Sequence, residues 1–247
     1  MWHRSPGATD KSVESDGGVD QRVGFSRVAS WPIEQLEEYL SERLREPLPG
    51  PGAQRRFAPL PLIEGWSPEQ TPEAARRAAA LLLVYPGSDG PTIALTLRHT
   101  ALPTHGGQIS LPGGALEPGE SAEAAAVREA YEEIGLAPDQ VRVLGPMSSL
   151  WIAVSNFVLT PIVSVSGARP VFSLHTREVQ ALIELPVARL FNDASLGWAH
   201  RTRGATRIDY PYFEVDGHVI WGATAMVLCE FACLFVPDLA PAARHPD

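Results

Sequence analysis

Between Gly113 and Leu136 the chain reads GGALEPGESAEAAAVREAYEEIGL, and this stretch constrains the fold more tightly than any other. Pro118 and Gly119 form a turn pair ahead of Ser121, whose hydroxyl can accept from the free N–H groups of a first helical turn. Glu123 stands where the helix dipole favours an anion, and Gly135 followed by Pro138 supplies the stop. The spacing predicts one helix over residues 122–134. A helix advances about 100° per residue, so with Glu129 at zero Glu133 falls near ~40° and Glu132 near ~−60°. Val127, Ala130, Tyr131 and Ile134 lie on the opposite side, which predicts a buried apolar face and three glutamates pointing away from the core.

Such a cluster has two readings. One is a solvated acidic face. The other starts from repulsion: Glu129 and Glu133 are a like-charged i, i+4 pair, unfavourable by about 0.2–0.5 kcal/mol, and only Glu132 has a partner four residues back, in Arg128. A hard divalent cation would offset that repulsion, because Mg2+ binds through a few carboxylates and completes its shell with water and phosphate oxygens.

The residues upstream extend the pattern. Gly114, Glu120, Arg128, Glu129, Ala130, Glu132, Glu133, Gly135 and Leu136 stand at the spacing of the Nudix box, and the chain resembles a Nudix hydrolase. The resemblance implies an α/β/α sandwich with a mixed β-sheet and the loop–helix of the Nudix motif. It also implies hydrolysis of a diphosphate linked to another moiety, with Mg2+ or Mn2+ held by Glu129 and Glu133. Glu132 is either a third ligand or the group that orients water. Glu120 either joins the metal site or makes a local hydrogen bond, and Arg128 orients carboxylates rather than touching substrate.

Immediately before that motif, ALTLRHTALPTHGGQISLPGG resembles the signature of the coenzyme A pyrophosphatase subgroup. Leu95, Thr96, Arg98, Leu102, His105, Gly107, Gln108, Ile109, Pro112, Gly113 and Gly114 fit it, while His99, Pro103 and Leu111 depart from it. The resemblance implies substrate contacts from Arg98, His105, Gln108 and, downstream, Asn156. Read from the residues alone, Arg98 is either a phosphate partner or a solvent-facing charge at a strand end, and His105 either shapes its loop or meets substrate. In REVQALIELPVARL, Glu178 is either an additional catalytic carboxylate or a surface charge. The implied reaction yields 3′,5′-ADP and a 4′-phosphopantetheine product from coenzyme A or its acyl or oxidised derivatives. ADP-ribose or NADH-type dinucleotide hydrolysis is the rival enzyme activity, and a nucleotide-sensing domain without turnover is the rival of another class.

A chain of 247 residues with 45% hydrophobic content can bury a sizeable core, which suits one domain with appendages. Residues 1–25, rich in Gly, Ser and Asp, read as a disordered tail. Residues 26–70 read as an amphipathic helix, IEQLEEYLSERL, that packs on the domain or on a partner, followed by a Pro-rich linker, EPLPGPG. Residues 71–237 form the expected Nudix domain and 238–247 a C-terminal tail. AAALLLVY, TIALTLR, VRVLG, NFVLTPIVSV, VQALIEL, TRIDYPYFEV and HVIW read as strands of one mixed sheet, with a hairpin turn at Asp216 and Gly217 and an apolar helix from Ala223. Cys229 and Cys233 read as small core residues rather than a zinc site or disulfide. The net charge of −9 without a basic stripe argues against nucleic acid as a partner. The short apolar runs and the absence of a signal-peptide core predict no membrane segment and a cytoplasmic location. The expected partner is a small nucleotide substrate, and a homodimer is left open.

Overall fold

The computed structural model describes residues 28–101 and 106–239. The expected N-terminal tail over residues 1–25, residues 240–247 of the expected C-terminal tail, and His105 lie outside the described residues.

The central strand, β1 (Arg76–Gly87), is an apolar run buried on both faces, as a strand covered on both sides must be. Along one side it pairs in parallel with β7 (Phe157–Val165). Along the other it has two antiparallel partners: β2 (Gly90–Arg98) takes its C-terminal half at Val84↔Ile93, and β4 (Gly113–Ala115) takes its N-terminal half at Ala79↔Gly114. The far end of β2 therefore swings away from β1 and pairs with β3 (Ile109–Ser110) and β8 (Val179–Pro186). On the other flank β5 (Arg142–Pro146) and β6 (Leu150–Ile152) both pair with β7, completing an eight-stranded mixed sheet.

Alternation along β1 sends Ala79, Leu81, Leu83 and Tyr85 to one face, where they meet Ala126, Ala130 and Ile134 of the helix read from the sequence. Ala80, Leu82 and Val84 enter a larger core on the opposite face. Three helices close that second face: α1 (Ile33–Arg43), α2 (Gly50–Arg55) and, beyond the Nudix-type helix α3 (Ala122–Ile134), α4 (Ala223–Cys233). Leu36 and Leu40 of α1 are fully buried, so this helix packs on its own chain. Cys229 and Cys233 are buried free thiols.

Two expectations need correction. TRIDYPYFEV and HVIW do not join the main sheet; as β10 (Thr206–Val215) and β11 (His218–Trp221) they form a separate antiparallel sheet with β9 (Leu196–Arg203). Phe213, Val215 and Ile220 turn one face of it into the larger core, and Asp216 (φ 50°) and Gly217 (φ 79°) make the expected two-residue turn. The Pro-rich segment is not all linker, since Gly50 begins α2. Pro51 suits its first turn, and the buried Glu230 carboxylate of α4 accepts from the Gly50 N–H (3.1 Å) and from Gln54 Nε2 (2.7 Å). That tertiary acceptor gives a Gly- and Pro-containing segment its reason to coil.

Candidate functional site

The site forms where α3 lies on the two glycines of β4. Ser121 accepts from the Ala124 N–H (3.2 Å) at its start, and at its end Gly135 adopts φ 68° while its N–H and that of Leu136 return to Tyr131 and Ala130 carbonyls. These caps fix the rotation of the helix. A Cβ on Gly113 would stand 2.4 Å from the Ala79 carbonyl oxygen, and one on Gly114 would stand 2.5 Å from the Glu129 carboxylate. Gly113 thus lets β4 pair closely with β1, and Gly114 leaves the Glu129 carboxylate its place over β4.

This approach overturns one expectation. Glu133 does not point to solvent: it is 2% exposed, with Oε1 on Arg98 Nη1 (3.2 Å) and Oε2 accepting from the Gly113 N–H (3.2 Å). Tyr131, placed on the core side by the helical wheel, is 57% exposed. The buried arc is centred near Ala130 and turns toward β4, taking Glu133 with it. Burial pushes the Glu133 carboxyl up to about 7, against the pull of Arg98 and the Gly113 N–H and with the push of Glu129 and Glu178. Glu129 also titrates above the usual carboxylate range, first through burial.

Arg128 organises the rest. Its guanidinium holds both oxygens of Glu120 (2.8 and 2.9 Å), Glu129 Oε1 (2.8 Å), Glu132 Oε2 (3.1 Å) and the Ala115 carbonyl (3.1 Å). Glu120 also accepts from the Glu117 N–H (2.9 Å), and the Arg128 hydrogen bonds, with that N–H, hold its carboxyl down to about 2. Glu178 sits in the turn before β8: its carbonyl accepts from the His99 N–H (2.7 Å), and its carboxylate lies 3.4 Å from His175 Nδ1. The His175 N–H donates to the Glu133 carbonyl (2.9 Å), which ties this turn to the end of α3. The charge of Glu178 reaches Glu129 and Glu133 and raises both.

Arg98, Glu120, Arg128, Glu129, Glu133 and Glu178 thus come together. Glu132 stands apart, exposed and directed to Arg128. Among the described residues no three acidic, histidine or cysteine side chains form a ready metal cluster. Gln108 contributes its carbonyl to the Arg98 N–H (2.9 Å). Asn156, at φ 53°, closes the β6–β7 turn, accepting from Trp151 Nε1 (3.2 Å) and donating to the Ala74 carbonyl (3.3 Å). The Gly113 N–H and His175 carry no signal of their own in the sequence. Only the i, i+3 spacing of His175 to Glu178 hints at their pairing.

The donor set suits a hard cation: burial raises the carboxyls of both Glu129 and Glu133, and a dication held between them would lower both again. The NUDIX domain model matches residues 69–195, just over half of the chain. The chain belongs to the Nudix family. It is 33% identical over 159 residues to the "Uncharacterized Nudix hydrolase NudL" of Photorhabdus laumondii, a match covering 63% of this chain and 83% of that one. A protein of the same description from Salmonella typhimurium is 33% identical over 172 residues, covering 67% and 86%. Among solved structures, a Nudix hydrolase from M. smegmatis, RenU, shares 27% identity and a TM-score of 0.41 over 47% of this chain and 73% of that one. Nudix hydrolases act on pyrophosphate bonds, and they generally use divalent metal ions. No helix among the described residues is long and apolar enough to cross a membrane.

Proposed function

We propose that this Nudix protein hydrolyses the diphosphate of coenzyme A or its acyl or oxidised derivatives, releasing 3′,5′-ADP and 4′-phosphopantetheine or its acyl form. The observation that carries the reading is the Arg98–Glu133 pair at 3.2 Å. It sets a residue of the coenzyme A signature, at the end of β2, against a carboxylate of α3, which supports reading the two motifs as parts of one site. Mg2+ or Mn2+ bound there would neutralise charge on the diphosphate oxygens and acidify a water. Glu129 and Glu133 are the ligands in this reading, and Glu132 stands ready as a third or as a water-orienting group. Arg128 holds Glu120 and Glu129 in place without leaving the helix surface. In this reading Glu178, on a turn tied to α3 through the His175 N–H, takes the proton, and Arg98, His105, Gln108 and Asn156 are the substrate contacts.

The departures at His99, Pro103 and Leu111 keep a second reading, ADP-ribose or NADH hydrolysis. Leu111 is buried in the larger core, which removes it from substrate, whereas the His99 ring turns back to accept from the Ala101 N–H (3.1 Å). An equimolar mixture of coenzyme A, ADP-ribose, NADH and a nucleoside triphosphate, incubated with protein and Mg2+ or Mn2+, separates the two by mass spectrometry. Release of 3′,5′-ADP is expected; AMP from ADP-ribose or NADH would overturn the substrate assignment and leave the chemistry standing. Location in the cytoplasm is part of the same proposal.

A further inference from the structure

Away from the carboxylates lies an apolar cavity of about 200 Å3 that opens to solvent along one side. Four distant stretches wall it: the segment from Ala58 to Trp66, β6 with the turn after it, the second sheet at Arg203 and Ile208, and Trp221 with the first turn of α4. The walls are built rather than loose. Trp66 Nε1 donates to the Trp151 carbonyl (2.9 Å), and Leu60 exchanges two backbone hydrogen bonds with Asp209 of β10 (2.7 and 2.8 Å). Three tryptophans, Trp66, Trp151 and Trp221, face it, and Ile63 and Val154 remain 50% and 59% exposed at its lining. Large apolar side chains left in water beside a cavity mark a place a ligand covers.

Arg203 is the one charged residue of the lining, and it has no carboxylate partner among the described residues. Two residues earlier on β9, Arg201 lies over the Trp221 ring at 5.1 Å. In a chain of net charge −9, cations at the mouth of an apolar cavity select a ligand that is apolar in body and anionic at one end. The volume is somewhat above the ~150 Å3 at which an apolar protein cavity takes up benzene, which fits a chain of about six to eight carbons.

We propose that this cavity binds a short acyl chain, with Arg203 meeting the carboxylate of the free acid or the carbonyl oxygen of a thioester. The chain can arrive as a free carboxylate or as the acyl group of a coenzyme A thioester; the second source rests on the function proposed above. Position favours neither alone, but Thr224 of α4 donates to the Ile109 carbonyl (3.0 Å), so the α4 end of the cavity abuts the strand that follows the Arg98 loop.

Calorimetric titration of the full chain with butanoate, hexanoate and octanoate tests the site without any turnover. Saturable binding that tightens about fourfold per added methylene until the cavity is filled is expected. Arg203→Gln should weaken octanoate about tenfold while keeping the chain-length dependence, and Ala223→Leu should weaken octanoate more than butanoate by occupying the space. Arg203 is exposed, so its variant folds even if the other does not. Octanoyl-coenzyme A that competes with octanoate and shows a lower KM than coenzyme A identifies the thioester as the source; octanoate binding with equal KM values identifies the free acid. No saturable octanoate binding, or affinity indifferent to chain length and to Arg203→Gln, would overturn the proposal. Turnover of unacylated coenzyme A, measured on the same protein, reports separately on the parent reading.

Discussion

Glu133 meets two opposed demands. Its position on the core-facing edge of α3 takes it out of water, which favours the neutral acid, while Arg98 and the Gly113 N–H favour the carboxylate. A carboxyl pushed up to about 7 from an ordinary value of 4.5 retains its proton in the folded state across a window where the unfolded chain has lost it. The folded state then binds more protons, so stability is full below about pH 4.5 and falls as pH rises toward 7, by up to about 3 kcal/mol. Glu120, held down to about 2, has the opposite sign: its contribution is present above pH 4.5 and is lost as pH falls toward 2. Denaturation of the chelator-treated protein should therefore show a loss of stability from about pH 4.5 to about pH 7 that Glu133→Gln reduces without removing, since Glu129 and the buried Glu230 are raised as well. Mg2+ should also reduce it, and Mg2+ affinity should rise with pH up to about 7, because the ion replaces the proton. At Gly114 the strain falls on a flexible side chain. Gly114→Ala should keep the fold, displace the Glu129 carboxylate and lower kcat about 100-fold.

The caps of α3 were legible in the sequence because Ser121 and Gly135 act within one turn of themselves. Gly135→Ala should cost about 1–3 kcal/mol, since φ 68° is strained for alanine and its Cβ would lie 2.8 Å from the Ser173 carbonyl oxygen; a denaturant midpoint measures it. The exact buried edge of the helix was not legible. A wheel assigns faces by hydrophobicity, whereas here β4 sets which side is covered, through the bare Gly114 beside Glu129 and the Gly113 N–H that Glu133 accepts, and Glu133 went inward while Tyr131 stayed out. β9 was missed for a related reason: LGWAHRTR has no apolar alternation and is a strand by virtue of pairing with β10. α2 was hidden by its glycines and prolines, and its partner Glu230 lies far along the chain. Glu230→Leu would strand the Gly50 and Ser148 N–H groups and leave Gln54 Nε2 only the Ser148 carbonyl, and should cost about 3 kcal/mol.

At the scale of the whole molecule, residues before the sheet divide into two kinds. Removing residues 1–25 should leave turnover unchanged. Removing residues 28–57 should abolish folding, because Leu36, Leu40 and Phe57 are fully buried and the Phe57 ring stacks on Phe213 at 4.4 Å. The family was readable because its motif is contiguous. The apolar cavity was not, because Trp66, Trp151 and Trp221 meet only after two sheets and a linker have folded. The central claim, that the α3 carboxylates carry a metal-dependent diphosphate hydrolysis, is tested most directly by turnover of wild type and Glu133→Gln side by side. The assay uses whichever substrate of the mixture is cut, with Mg2+ or Mn2+ and with chelator, and a melting curve accompanies each protein. Turnover is expected only with metal, with a loss of at least about 100-fold in the variant and a melting temperature no lower than wild type. Full activity in Glu133→Gln, or turnover that survives chelation, would contradict that claim.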